Sequence, residues 1–200
     1  MCHTVGVQLS DRDLVIAASL ADPVCAAVLE RMPELGLSEW WLTAGAVFQN
    51  VWNALSGLPP GTGIKDYDVF YFDESDLSWE AEDRIIRAAA ELFADIGATI
   101  EIRNEARVHL WYEERFGKAI SPFTSARDAI DSFAATACCV ALTRDGQRID
   151  LYAPFGLDDT IAMHLKPNRR MAPRSVYETK ATQYQTRWPQ LTADPWEPRP

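Results

Sequence analysis

Two aspartates separated by a single tyrosine, Asp66 and Asp68 in the run DYDVFYFD, carry the sharpest chemical signal in the sequence. Alternate residues of a strand share a face, so the two carboxylates project side by side. Neighbouring carboxylates repel, and a partly buried pair takes up a proton unless a cation sits between them. Mg2+ suits such a site, with Mn2+ as the alternative, because it takes a few carboxylates, several waters and phosphate oxygens. The alternative is a solvated turn leading into a strand, since an isolated DxD is a short motif. A second element weighs against it. Gly45 follows the strand-like EWWLT and precedes an amphipathic stretch, which makes a strand-to-helix turn whose backbone N–H groups and helix dipole can hold a triphosphate. Phosphatases of the haloacid dehalogenase type and DxD glycosyltransferases place an apolar strand before their aspartates. Here GTGIK precedes and VFYF follows, which argues against both.

The positioning elements follow from capping and periodicity. Ser10 with Asp13, and Asp22 with Pro23, predict two N-terminal helices forming a lid against the core. Residues 39–43 predict a strand, and Val47, Phe48, Val51, Trp52 and Leu55 a helix after Gly45. Residues 57–65 hold too much Gly and Pro for regular structure. A strand over 66–72 precedes a helix capped by Ser78, with its apolar stripe running from Ile85 to Ile96 and Gly97 ending it. Residues 99–103 alternate as a strand. Ser125 caps a short helix, ACCVALT and RIDLYA form a hairpin with a loop slightly longer than two residues, and a short helix follows Gly156. A last helix covers 175–188, with Tyr177, Ala181, Tyr184 and Trp188 on one face. The expected organisation is one domain over 1–200, with a helical segment over 1–38 and an irregular tail over 189–200.

Two hundred residues with net charge −10 oppose general nucleic-acid binding, because nonspecific affinity comes from Lys and Arg on phosphates. There is neither a signal-peptide pattern nor a membrane-length apolar run, so the expected location is cytoplasmic, away from the membrane. Cys2, Cys25, Cys138 and Cys139 lack metal-ligand spacing and read as reduced, mostly buried thiols. Lys65, Arg103 and Arg107 are candidates to neutralise triphosphate charge, and Lys166, Arg169, Arg170 and Arg174 form a basic cluster. His109 reads as structural, and His3 and His164 give no signal. Trp40, Trp41, Trp52, Trp111 and Tyr112 read as core rather than as platforms for a base. Asp158 and Asp159 read as a helix start.

The blocks TAGAVFQNVWNALSG, DYDVFYFD, IEIRNEARVHLWYEERFG, LYAPFGLDD and KPN together resemble the bacterial nucleotidyltransferase-like family of the polymerase-β superfamily, over about 41–196. The resemblance implies an α+β nucleotidyltransferase fold, a mixed sheet with packed helices and with helical additions at both ends. It also implies Gly45 and Ala46 in the nucleotide-binding turn, Asp66 and Asp68 as metal ligands, and Glu101 as the third acidic residue. Asp150 is the competing third carboxylate. The helix after the DxD strand can lay the Glu101 strand beside it, whereas Asp150 follows the hairpin on what reads as a solvated edge. The implied activity is transfer of a nucleoside monophosphate from an NTP to an unknown acceptor, whether small molecule, protein or RNA, with release of pyrophosphate. Two departures motivate a rival, a catalytically inactive member that binds a nucleotide or a protein. Gly45–Ala46 stands where Gly-Gly or Gly-Ser is usual, and Phe48, Gln49 and Asn50 stand where Arg-Asn often follows.

Overall fold

The computed structural model describes residues 9–197; Cys2, His3 and the ends of the expected terminal segments lie outside the described residues. Helices α1 (Asp11–Leu20) and α2 (Pro23–Arg31) begin where Ser10 and Asp22 accept hydrogen bonds from the Asp13 and Val24 amides. Their apolar faces bury Val15, Cys25, Val28 and Leu29, and α1 packs on the helix that follows the first strand. Strand β1 (Trp40–Thr43) is buried throughout and leads through Ala44 into α3 (Gly45–Leu55). The 57–65 loop delivers the chain to β2 (Asp66–Tyr71), then α4 (Trp79–Leu92) and β3 (Thr99–Asn104).

The intervening α4 lets β3 lie parallel to β2, the usual outcome of a strand–helix–strand crossover. Ser78 caps α4 as its sequence predicts, but the helix ends at Leu92, five residues before Gly97. Phe93 is buried and Ile96 packs on the core from the turn beyond, so the apolar stripe outlasts the helix.

Short helices α5 (Tyr112–Phe116) and α6 (Ala126–Ile130) precede the hairpin of β4 (Ala141–Asp145) and β5 (Arg148–Tyr152). Asp145 pairs with Arg148, so the turn is the two residues Gly146 and Gln147, with Gly146 at φ 56°. The expected longer loop is corrected here, because the strands continue into charged residues that do not read as strand. Helix α7 (Asp158–Ile161), strand β6 (His164–Leu165), α8 (Arg174–Arg187) and β7 (Thr192–Ala193) complete the chain. The tail is not wholly irregular, since β7 pairs in parallel with β6. A two-residue strand has no alternation to read.

The main sheet runs β3-β2-β1-β4-β5, with β2 and β3 parallel and the other pairs antiparallel. This mixed sheet with packed helices is the expected α+β architecture. Tyr67, Val69, Tyr71 and Ile102 turn to the larger core with α1–α4. Trp52 and Trp188 are fully buried there, and their indole N–H groups donate to the Thr160 carbonyl and to Asn53 Oδ1. On the opposite face Trp41, Ala141 and α6 form a smaller cluster, joined by Phe70 and Phe133. That smaller cluster covers only part of the face, leaving a cleft over β2.

Candidate active site

Alternation along β2 sends Asp66, Asp68 and Phe70 into this cleft while the intervening residues fill the core. Across the sheet, Asp68 is flanked in register by Thr43 of β1 and Glu101 of β3. Asp66 is exposed and Asp68 half-buried. Burial first, then the charges of Asp66 and Glu101, push the Asp68 carboxyl up to about 7, although Lys180 and Arg103 oppose the shift.

One cavity of about 260 Å3 joins Asp66 and Asp68 to Ala44 and Gly45, with Lys180 and Tyr184 of α8 on the other wall. The turn itself is unusual. Ala44 adopts φ 53°, ψ −138°, a region that strains any residue with a Cβ. Gly45 is the first residue of the helix and its backbone is not left-handed, contrary to the simple picture of a glycine hinge. A Cβ there would displace the end of the Gln49 side chain, which is free to turn aside. Arg187 donates to the Gln49 Oε1 at 2.8 Å and to the Gly63 carbonyl. No side chain caps α3, as also holds for α5, α7 and α8, while α1, α2, α4 and α6 are capped. Its start at Gly45 lines the cavity with the aspartates and turns a positive helix end to it, whereas Ala46 is buried in the core and does not line the cavity.

The other candidates separate clearly. Arg103 lies 3.7 Å from Glu101 on the cleft side of β3. Arg107 is paired with Glu82 and donates to the Leu77 carbonyl, which ties β3 to α4 and takes this guanidinium out of the cleft. Lys65 is exposed and does not line the cavity. Asp150 sits on the edge strand β5, three strands from β2, bound to Arg148 at 2.7 Å. Lys166, Arg170 and Arg174 are each engaged by acidic neighbours, and Arg169 donates to the Trp196 carbonyl. His109 lies off this cavity. Cys25, Cys138 and Cys139 are free and buried. Trp111 departs from its expected core placement, being 41% exposed.

Two residues escaped the sequence reading. Lys180 is three residues after Tyr177 and four before Tyr184, so the apolar face of α8 already placed it at the cleft margin. Glu105 follows β3 in a 3-10 turn; it is 4% exposed, and burial and then Asp68 push its carboxyl up to about 8. No alternation extends across that change of structure, so it left no signal.

Among the described residues no group of three His, Cys, Asp or Glu forms a ready metal cage. The residues present instead fit a hard cation of the Mg2+ kind, which one or two carboxylates hold while waters and phosphate oxygens complete the shell. The cavity holds no His, and its one thiol, Cys138, is kept protonated by burial, which disfavours a zinc-type site. Among the described residues no helix is long and apolar enough to cross a membrane.

A search of curated proteins finds no match. A solved structure described as revealing a CCA-adding enzyme head domain is similar, with a TM-score of 0.73 and 25% identity over 92% of this chain and 95% of that one. The model of a family described as nucleotidyltransferase matches residues 30–193, which is most of the chain, and the protein therefore belongs to that nucleotidyltransferase family.

Proposed function

We propose that the enzyme transfers a nucleoside monophosphate from an NTP to an acceptor, using Asp66 and Asp68 to hold a divalent cation, Mg2+ or Mn2+. The observation that carries this reading is the single cavity shared by the two aspartates and the uncapped start of α3. When bound, the cation neutralises charge on the phosphate oxygens and brings the nucleotide to the carboxylates.

The protein's own groups do the rest. The Gly45 amide receives the outer phosphates at the helix start. Lys180, close enough to counter the charge of Asp68, supplies positive charge from the opposite wall. Glu101 stands beside Asp68 in register and completes the acidic group, as a further ligand or as the base that takes the acceptor's proton. Arg103 beside Glu101 is placed to counter developing charge. Arg107 and Lys65 have no such part.

Calorimetric titration with an NTP, with Mg2+ and then in EDTA, tests the reading. Binding should require the cation, and equal affinity in EDTA would overturn the assignment of the aspartates. Labelled NTPs with Mg2+ and a cell extract should yield a labelled acceptor.

A further inference from the structure

A second cavity, of about 340 Å3, adjoins the first and shares Phe70, Phe133, Ala134 and Lys180 with it. Its remaining wall brings four aromatic rings together, Trp111, Tyr112, Phe116 and Phe123, among aliphatic and polar residues. Trp111 and Phe116 are 41% and 46% exposed, so their rings remain open to a molecule entering the cavity. Glu105 lines this cavity while only 4% exposed. Among the described residues its carboxyl accepts no hydrogen bond, and the charges that act on it are those of Asp68 and Arg103. A carboxyl so placed on the cavity wall is available to a donor of a molecule bound there.

The placement of the cavity limits what that molecule is. The uncapped turn follows β1, on one side of β2, while Arg103 lies on β3 and Glu105 just after it, on the other side. In an in-line displacement the attacking and leaving oxygens lie on opposite sides of the phosphorus. Pyrophosphate leaving toward the turn therefore places the nucleophile on the β3 side, where this cavity opens.

We propose that the second cavity binds the acceptor, and that the acceptor is a small aromatic alcohol with a further hydrogen-bond donor that meets Glu105. This rests on the transfer reaction above. The volume is that of a small-molecule pocket. The aromatic walls favour a ring, and Glu105 sets its orientation. The acceptor's hydroxyl oxygen forms a bond to the α-phosphorus of the NTP as the bond from that phosphorus to the bridging oxygen breaks. The hydroxyl proton passes to Glu101, and pyrophosphate carries away the electron pair of the broken bond.

The full chain in EDTA, without nucleotide, is titrated by ligand-observed NMR with tyramine and 4-hydroxybenzyl alcohol, and with benzyl alcohol, which lacks the second donor. The two donor-bearing probes should bind, benzyl alcohol at least tenfold more weakly. Glu105→Gln should narrow that difference, and Trp111→Ala should weaken all three probes at least fivefold; melting curves confirm that both variants fold. Absence of binding by both donor-bearing probes, or binding indifferent to both variants, would overturn the proposal. So would a loss of Mg-NTP affinity in these variants as large as the loss of probe affinity, because the cavity would then hold the nucleotide's base. Because the probe titration needs neither metal nor nucleotide, failure of the transfer reading, seen as no Mg-dependent NTP binding by the unaltered protein, is distinguishable from failure of the cavity assignment.

Discussion

Tyr67 and Asp68 are adjacent on β2, yet they face two acidic environments built on opposite principles. On the Tyr67 side the buried Asp22 accepts hydrogen bonds from the Val24 amide at 3.0 Å, from Asn50 Nδ2 at 2.9 Å and from the Tyr67 hydroxyl at 2.9 Å. Burial and this carboxylate raise the Tyr67 hydroxyl and the Cys25 thiol, so both stay protonated as donors. Asn50 in turn accepts from the Gly61 amide at 2.7 Å, which fastens the Gly- and Pro-rich loop to α3. On the Asp68 side burial and then two carboxylates, Asp66 and Glu101, raise the carboxyl against the smaller opposing effect of Lys180 and Arg103, and the nearby helix start has no cap. A satisfied buried carboxylate supports a fold. A mutually repelling set facing an uncapped helix end is what the cation and nucleotide of the proposed function would complete.

The largest effect that would break this contrast is expected from Asp68→Asn. Under the proposed function, turnover should fall about a thousandfold, about 4 kcal/mol of transition-state stabilisation. Its melting temperature should stay level or rise, since one of two repelling charges is gone. A variant that unfolds would make Asp68 structural and erase the contrast. Asp22→Ala should behave in the opposite way. It strands the donors of Asn50 and Tyr67 and removes the cap of α2, so urea unfolding should show a loss of about 3 kcal/mol. An unaffected midpoint would show that the cluster does not hold the fold.

Glu101→Gln sharpens the comparison within the acidic group. A base or ligand at this position predicts a fall in turnover of about a hundredfold, roughly 2.7 kcal/mol. Asp150→Asn on the sheet edge should change turnover little. The reverse ranking would transfer the role to Asp150.

The contrast also predicts a pH dependence of stability in EDTA. Between the ordinary carboxyl range and about 7 the folded chain keeps a proton on Asp68 that the unfolded chain releases. Through Asp68, stability should therefore fall as pH rises across that interval, by roughly 2 kcal/mol after solvent screening, with no further change from this group above it. Glu105, raised to about 8, acts in the same direction. Urea midpoints at pH 5 and pH 8 should differ less in Asp68→Asn than in the unaltered protein, and an equal difference would remove Asp68 from the account.

The two sides of β2 were not equally legible in the sequence. Period-two alternation in DYDVFY assigned the faces of the strand, and the 14 residues of α4 between β2 and β3 allowed the parallel register that sets Asp68 beside Glu101. Caps at Ser10, Asp22, Ser78 and Ser125 announced four helix starts through local hydrogen bonding, which needs no tertiary context. Asp22 was legible as a cap and illegible as the hub of a buried cluster, because Asn50 and Tyr67 reach it across long stretches of chain. Arg107 resembled a phosphate contact by nearness to Glu101, but the preceding strand end turns it to Glu82 on α4. Trp111 looked like core by residue type, and the adjoining cavity keeps it open.

The smallest expected effect concerns Ala44, where the cleft side places strain in the backbone itself. An alanine at φ 53°, ψ −138° pays a steric cost that glycine avoids. Nothing in the residue type announces the conformation, since the glycine of this turn is the next residue, in the helix. Ala44→Gly should relieve roughly 1–2 kcal/mol of strain, offset in part by the greater freedom of glycine in the unfolded chain. A net gain of about 0.5–1 kcal/mol should raise the melting temperature by about 2 °C in a chain of this length. The same freedom should loosen the turn before the nucleotide arrives, so Mg-NTP affinity should weaken about twofold while stability rises. Opposite signs in the two measurements are the signature of a turn held in a strained form for binding. A lower melting temperature would mean that the backbone at Ala44 is unstrained, and a raised melting temperature with unchanged affinity would mean that the strain serves the fold alone.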